Sequence, residues 1–176
     1  PALDLALPNS ATSLSANRYL LAMRSHNPLV FSYFDGWASH SYPNPGFTSA
    51  PTKIGLTSIV GYKSEFSLLK LVPKPVFITE TGWDQNKVGS EILATYWVKA
   101  WDIWQRDPNV VAVTPFLLHG IGAFDSFTLY NKDNYLRPSG MAMFVLTKTA
   151  GAPILAPVPT PAPTNNPSST GWTGSL

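Results

Sequence analysis

One carboxylate in this chain stands where catalytic groups are often found, at the end of a buried strand. Residues 75–79 form an apolar and β-branched run that is typical of a strand buried in a parallel sheet. Glu80 ends the run, and Gly82 and Trp83 follow it. Because a buried strand does not tolerate a charge along its length, Glu80 is predicted to lie at the open carboxyl end. The structural alternative is a solvated glutamate at a strand end.

Further polar groups stand at the ends of the neighbouring predicted strands. Side chains two residues apart on a strand point the same way, so His40 and Tyr42 are predicted to share one face. The same rule places Ile78 and Glu80 on one face, and His119 ends the last predicted strand. Parallel strands of a barrel bring their carboxyl ends to one rim, so we expect these polar groups to line one cavity. In the structural alternative, His40 and Tyr42 pack in the core and His119 bonds its own loop.

Aromatic residues are predicted beside this cavity, namely Trp37, Trp83 and Phe127. The C–H faces of a sugar ring stack on aromatic rings, and its hydroxyl groups take polar partners. Asp125 is a further candidate for substrate contact, and capping of its own loop explains it equally well. An ionised carboxylate held beside a Tyr hydroxyl and a His suits a nucleophile that attacks an anomeric carbon.

Four strand–helix units are predicted to position these groups. Apolar runs bounded by Pro, Gly and Asn predict strands at residues 3–7, 36–42, 75–80 and 110–118. Apolar residues at helical spacing predict helices at residues 16–25, 57–71, 90–106 and 138–148. A hairpin flap is predicted around residues 131–134. Such units build a parallel sheet by right-handed crossovers, so the predicted class is α/β, with four units forming half of an eight-stranded (β/α)8 barrel.

Composition excludes several other classes of protein. The chain has no cysteine, so disulfides, zinc–thiolate sites and cysteine nucleophiles are excluded. Its Lys and Arg residues are scattered, which leaves no basic patch for nucleic acid, and no run is long enough to span a membrane. From residue 152 onward Pro alternates with Ala, Thr, Ser and Asn. We therefore expect one domain at residues 1–151, followed by a solvated linker at residues 152–176.

Three segments together resemble a known clan of enzymes. FITETGW at residues 77–83 resembles the seventh strand of the retaining glycoside hydrolases built on (β/α)8 barrels. ASHSYP at residues 38–43 looks like the sixth strand of that clan, and VTPFL at residues 113–117 is similar to the eighth. The resemblance covers most of residues 1–150 and implies the C-terminal half of a barrel. It implies that Glu80 is the nucleophile, that Tyr42 hydrogen-bonds to it, and that His40 flanks it.

The chain departs from the pattern of the clan in two places. The acid/base of the clan is a Glu that follows an Asn, whereas none of Glu65, Glu80 and Glu91 follows an Asn. The resemblance therefore implies that the acid/base and the N-terminal half of the barrel lie upstream of Pro1. Many members also carry a Trp at the end of the eighth strand, where this chain has residues 117–119, Leu-Leu-His. Half a barrel exposes unpaired strand edges, so we expect residues 1–150 alone to associate.

Three functions follow from these observations. The first is a retaining glycoside hydrolase acting by double displacement, present as a fragment with the nucleophile but without the acid/base, and so with little turnover alone. The second is a non-catalytic carbohydrate-binding or cell-wall-associated module. The third is an open α/β fold, which the lack of a glycine-rich phosphate loop disfavours. The first two imply an oligo- or polysaccharide partner and no metal or cofactor. The Pro-rich tail resembles linkers of extracellular enzymes and favours secretion.

Overall fold

A computed structural model of the chain describes residues 2–6, 8–120 and 122–147, and the predicted linker at residues 152–176 lies outside them. The strands are β1 (Trp37–His40), β2 (Val76–Thr81) and β3 (Val110–Pro115). The helices are α1 (Ala16–His26), α2 (Gly61–Leu69), α3 (Gln85–Val88), α4 (Ser90–Gln105) and α5 (Pro138–Phe144). Two 3-10 turns cover Val30–Tyr33 and Gly122–Phe127. The predicted mixed α/β class is therefore confirmed.

The described strands form one parallel sheet in the order β1-β2-β3. Helix α2 connects β1 to β2, and α4 connects β2 to β3, as in successive strand–helix units. The described residues show three of the four predicted strands, and residues 3–6 make a single parallel bridge, between Asp4 and His40. The Asp4 carboxylate accepts a hydrogen bond from the Ala6 backbone at 2.9 Å, in a turn at residues 5–6.

Several element boundaries differ from those predicted. Helix α4 begins and ends within one residue of its predicted bounds, but β3 ends at Pro115 rather than residue 118. Helix α2 begins at Gly61, because residues 57–60 form turns in which the Ser58 hydroxyl donates to the Gly55 carbonyl. The predicted hairpin flap corresponds to an antiparallel bridge between Tyr130 and Leu136. No helix among the described residues is long and apolar enough to cross a membrane.

The hydrophobic core lies between one face of the sheet and the helices. Trp37 of β1 and Ile78 of β2 are buried in it. The helices contribute apolar side chains at helical spacing: Leu20, Tyr62, Phe66, Leu69, Leu93, Trp97, Ala100 and Trp104. Ala112 and Thr114, which flank the core-facing Val113, are exposed. The other face of the sheet is therefore open among the described residues, and polar groups that point to it are accessible.

A β-bulge decides which side chains of β2 reach the open face. Ser39 is in register with Ile78, but the next residue, His40, is in register with Glu80, so β2 holds one extra residue. A bulge resets the alternation of side chains along the strand. Ile78 is fully buried in the core, whereas Glu80 contacts the side chains of β1 and its continuation at the rim. The prediction that Ile78 and Glu80 share a face is therefore wrong.

An acid-sensitive contact fastens the turn between α4 and β3. Asp107 accepts a hydrogen bond from the Tyr62 hydroxyl at 2.8 Å and pairs with Lys63 Nζ at 2.8 Å. Burial alone would raise the pKa of Asp107, but the hydrogen bonds from Lys63, Tyr62 and the Asn109 backbone outweigh it and lower this pKa to about 2. A carboxyl whose folded-state pKa is depressed stabilises the fold above its unfolded pKa and loses that contribution as the pH falls through the folded value.

We expect Asp107→Asn to reduce the loss of the free energy of unfolding at acid pH. The wild-type free energy of unfolding should fall between about pH 4 and pH 2 as Asp107 takes up its proton. The variant, which has no carboxyl to titrate there, should lose less over the same interval while being less stable at pH 7. Urea unfolding at several pH values measures both, with Asp133→Asn, an exposed acid in the 131–134 turn, as the matched control. If the free energy of unfolding of the Asp107 variant fell as steeply with pH as that of the wild type, the lowered pKa assigned to Asp107 would be contradicted.

Candidate functional site

The structure brings three of the predicted residues together at the carboxyl end of the sheet. The Tyr42 hydroxyl donates to Glu80 Oε2 at 3.1 Å. His40 Nδ1 lies 3.5 Å from the same oxygen. The exposed fraction is 36% for the Glu80 side chain and 25% for that of His40, so the carboxylate is both held in place and open to a ligand. No Lys or Arg in the described part of the chain forms an ion pair with Glu80.

Backbone contacts hold Tyr42 over the end of β2. The Tyr42 amide donates to the His40 carbonyl at 3.1 Å, and the Asn44 amide donates to the Tyr42 carbonyl at 3.0 Å, which turns the chain sharply after β1. The Thr81 hydroxyl, fully buried, donates to the Ser41 carbonyl at 2.7 Å and ties the two strand ends together. Since these bonds fix both backbones, the Tyr42–Glu80 contact belongs to a preorganised site.

Electrostatics keep Tyr42 a hydrogen-bond donor. Burial raises the pKa of the Tyr42 hydroxyl, and the negative charge and hydrogen bond of Glu80 raise it further, with a smaller contribution from the charge of Asp4. The pKa of Tyr42 is therefore well above its usual range, and the hydroxyl stays protonated at neutral pH. The neutral phenol donates to the Glu80 carboxylate and fixes the position of its Oε2.

A cluster of aromatic rings extends from Tyr42 along the rim. The ring centroids of Tyr42 and Phe116 are 6.2 Å apart, and Phe116 lies 5.8 Å from Phe127 and 5.5 Å from Phe124. Phe47 joins the cluster at 5.2 Å from Tyr42 and 5.1 Å from Phe127. The structure thus places Phe127 in the predicted region and adds three rings that sequence reasoning missed. The position of Phe116 at the rim could have been predicted from sequence, because it directly follows the last residue of a strand. Phe47 and Phe124 lie outside the strands, so no strand pattern indicates their positions.

The two predicted tryptophan platforms lie in the core instead. Trp83 is 1% exposed, its Nε1 donates to the Ser49 carbonyl at 2.8 Å, and its ring packs edge-on against Trp97 at 5.0 Å. Trp37 is 5% exposed, and its Nε1 donates to Glu65 Oε2 at 3.0 Å. The prediction that these rings lie beside the Glu80 cavity is therefore wrong, because both indoles are buried and their N–H groups are bonded within the core. Both residues point to the side of the sheet that the helices cover.

The remaining predicted site residues do not approach Glu80 through any described contact. His119 is exposed in the segment after β3, four residues beyond the end of the strand. Asp125 accepts two hydrogen bonds from Arg137 Nη2, at 3.1 Å and 2.9 Å. This pair fastens the 3-10 turn that carries Phe127 to the start of α5, so its contacts support the loop-fastening interpretation of Asp125. No group of three or more metal-ligating side chains is clustered within the described residues.

Comparisons with known proteins give a structural likeness but no family. No protein-family model matches the chain, and no curated protein matches it. Among solved structures, the chain is similar to the crystal structure of a GH128 (subgroup VII) oligosaccharide-binding protein from Trichoderma gamsii. The sequence identity is 16% and the TM-score 0.45, and the match covers 69% of this chain and 44% of that one. This chain therefore spans less than half of that protein, and a likeness at this level does not establish a family.

Proposed function

We propose that this chain supplies the nucleophile of a retaining glycoside hydrolase, and that Glu80 is that nucleophile. One observation carries the proposal: the Tyr42 hydroxyl and the His40 imidazole both contact one oxygen of a half-exposed carboxylate, at the carboxyl end of a parallel strand. Catalytic groups of (β/α)8 enzymes come from this end of the strands. The neighbouring aromatic rings, from Tyr42 to Phe127, provide apolar faces suited to sugar C–H groups.

The proposed reaction proceeds by double displacement. In the first step a Glu80 oxygen forms an ester bond to the anomeric carbon while the bond from that carbon to the leaving-group oxygen breaks, and that oxygen takes up a proton. In the second step a water attacks the same carbon, gives up a proton, and releases the Glu80 carboxylate with the original configuration restored. The Tyr42 hydroxyl orients the carboxylate for attack and stabilises its charge when it leaves again.

The described glutamates do not supply the second carboxyl that this reaction uses. Retaining enzymes hold the nucleophile and the acid/base about 5 to 5.5 Å apart. Glu65 is 2% exposed beneath the sheet and bonded to Trp37 and Ser39, and Glu91 lies in the first turn of α4. We therefore propose that the acid/base comes from outside the described residues and that this chain alone turns over ordinary glycosides slowly.

A non-catalytic carbohydrate-binding module is the second candidate. It is favoured by the same observation that complicates catalysis, since neither Glu65 nor Glu91 lies at the rim beside Glu80. A module of this kind would use Tyr42, Phe116 and Phe127 as a sugar-binding surface and would leave Glu80 as a hydrogen-bond acceptor. The two candidates differ in whether Glu80 ever forms a covalent bond to a sugar.

Covalent labelling distinguishes the two candidates. The full chain is incubated with 2,4-dinitrophenyl 2-deoxy-2-fluoro glycosides of several configurations, whose leaving group departs without protonation, and the peptides are analysed by mass spectrometry. We expect one adduct, on the peptide that contains Glu80. An adduct on another peptide would overturn the assignment of Glu80. Reversible sugar binding without an adduct from any configuration would favour the binding module.

A further inference from the structure

A cavity of about 510 Å³ lies between α1, the 3-10 turn at Val30–Tyr33, the first half of β1, and α2. Its volume falls within the range of about 300 to 1,000 Å³ that is usual for small-molecule sites. Most of the described residues that line it are apolar or aromatic, and Glu65 of α2 is among them. Tyr42, Glu80 and Phe127 do not line it, so this cavity shares none of these residues with the proposed glycosidase site.

The Glu65 carboxyl lines this cavity without a counter-ion. Glu65 is 2% exposed, and its Oε2 accepts hydrogen bonds from Trp37 Nε1 at 3.0 Å and from the Ser39 hydroxyl at 2.9 Å. Its Oε1 accepts no hydrogen bond from the described residues, and no Lys, Arg or His among them forms an ion pair with it. Burial raises the pKa of Glu65, although its two hydrogen bonds lower it. Because an unpaired charge away from water is costly, a cation beside Oε1 would stabilise the ionised carboxylate.

Aromatic rings form much of the wall of this cavity. The ring of Phe31 lies 5.9 Å from that of Phe34 and 5.6 Å from that of Trp37, and Tyr19 and Tyr33 line the cavity with exposed side chains. The faces of such rings attract cations, and ammonium groups are commonly bound among them. A site with several rings and a carboxyl oxygen that is free to accept a hydrogen bond therefore suits an ammonium group.

We propose that this cavity binds a small organic amine, whose protonated nitrogen donates to Glu65 Oε1 and whose apolar body packs against the rings of Phe31, Phe34 and Trp37. The inference is independent of the proposed glycosidase function. Of the described lining residues none is Lys, Arg or His, and the acids are Glu65 and the exposed Asp35. An anion would therefore be repelled, and a neutral ligand would leave Glu65 without a counter-ion. The apolar body is needed as well as the charge, because its burial against the rings supplies the hydrophobic part of the binding free energy.

Calorimetry with matched probes tests the proposal on the full chain. The probes are tryptamine and phenethylamine, their neutral alcohols tryptophol and phenethyl alcohol, and the anions indolepropionate and hydrocinnamate. The wild type should bind the better amine at least about tenfold more tightly than its alcohol, and the anion more weakly still. Glu65→Gln keeps an oxygen for Trp37 and Ser39, and it should weaken amine binding at least about tenfold while changing alcohol binding little. Glu91→Gln, the same change at an exposed position in α4, should alter neither.

The methionines locate the bound amine without a substitution. Met23 lines the cavity, whereas Met141 is an exposed residue of α5. In protein that is isotopically labelled at the methionine methyl groups, the better amine should shift the NMR signal of Met23 in a saturable way and leave that of Met141 in place. A shift at Met141 without one at Met23 would overturn the proposed location.

The other outcomes also decide the inference. If Glu80→Gln lost amine binding and Glu65→Gln kept it, the amine would bind at the rim, and the inference would fail while the proposed glycosidase function stood. Equal affinities of the wild type for an amine and its alcohol, or a Kd above about 1 mM for both amines, would overturn the inference as well. Circular dichroism verifies that each variant is folded. If Glu65→Gln is not, the preference of the wild type for the amine and the shift of the Met23 signal decide.

Discussion

Glu80→Gln is expected to slow covalent labelling by an activated 2-fluoro glycoside at least about thousandfold, since removal of a nucleophile is among the most costly changes to an active site. The glutamine side chain has nearly the same shape and keeps an oxygen that accepts the Tyr42 hydroxyl, so the fold and the rim should remain intact. What it lacks is the negative charge and nucleophilicity of the carboxylate, because an amide oxygen is a poor attacking group. The half-time of adduct formation, followed by intact-protein mass spectrometry, measures the effect.

The matched control for this change is Glu91→Gln. Glu91 is an exposed glutamate in the first turn of α4, and the same substitution there should leave the labelling rate unchanged. Labelling of the Glu80 variant at the wild-type rate would show that another side chain attacks the sugar. Equal loss of labelling in both variants would point to a general effect of charge and not to a nucleophile.

Trp83→Ala is expected to lower the free energy of unfolding by about 3 to 5 kcal/mol, the usual cost of deleting a buried tryptophan side chain. The ring is 1% exposed and packs against Tyr96 and Trp97, and its N–H is bonded to the Ser49 carbonyl, so its removal leaves a cavity and an unpaired acceptor. Sugar affinity of the folded protein should change little, because the indole does not face the rim. Urea unfolding and calorimetry with the best sugar probe measure the two quantities separately.

Phe124→Ala is the contrasting variant. Phe124 is 54% exposed and lies at the rim, with its ring 5.5 Å from that of Phe116. Its loss should cost less than about 1 kcal/mol of stability, in line with exposed positions, and should weaken sugar binding. If Trp83→Ala kept its stability and lost sugar binding, Trp83 would be a ligand platform and the packing described above would be wrong. If Trp83→Ala does not fold, Trp83→Phe, which keeps an aromatic ring in the core, replaces it.

The strand end that carries Glu80 could be predicted from local sequence. The run at residues 75–79 is apolar and β-branched, and the first charge after it must lie outside the buried layer, because a charge inside would be unpaired. The same kind of reasoning predicted α4, whose buried residues Leu93, Trp97, Ala100 and Trp104 recur at helical spacing. In both cases the deciding pattern lies within a dozen residues of the chain. The hydrogen bond between Tyr42 and Glu80 was implied by the resemblance to the glycosidase clan, whereas strand geometry alone predicted only that the two residues line one cavity.

What only the tertiary structure decided is which side of each strand the helices cover and how the strands are aligned. Trp37 and Trp83 were predicted as ligand platforms from their positions near the strand ends, but burial under the helices places both in the core. Strand alternation predicted Ile78 on the same face as Glu80, but the bulge before Glu80 places Ile78 in the core. The bridge between Asp4 and His40 joins residues 36 positions apart in sequence, so no periodic pattern in the sequence predicts it. A period of two residues states only that side chains alternate, whereas the packing of distant segments selects the face that stays open to a sugar.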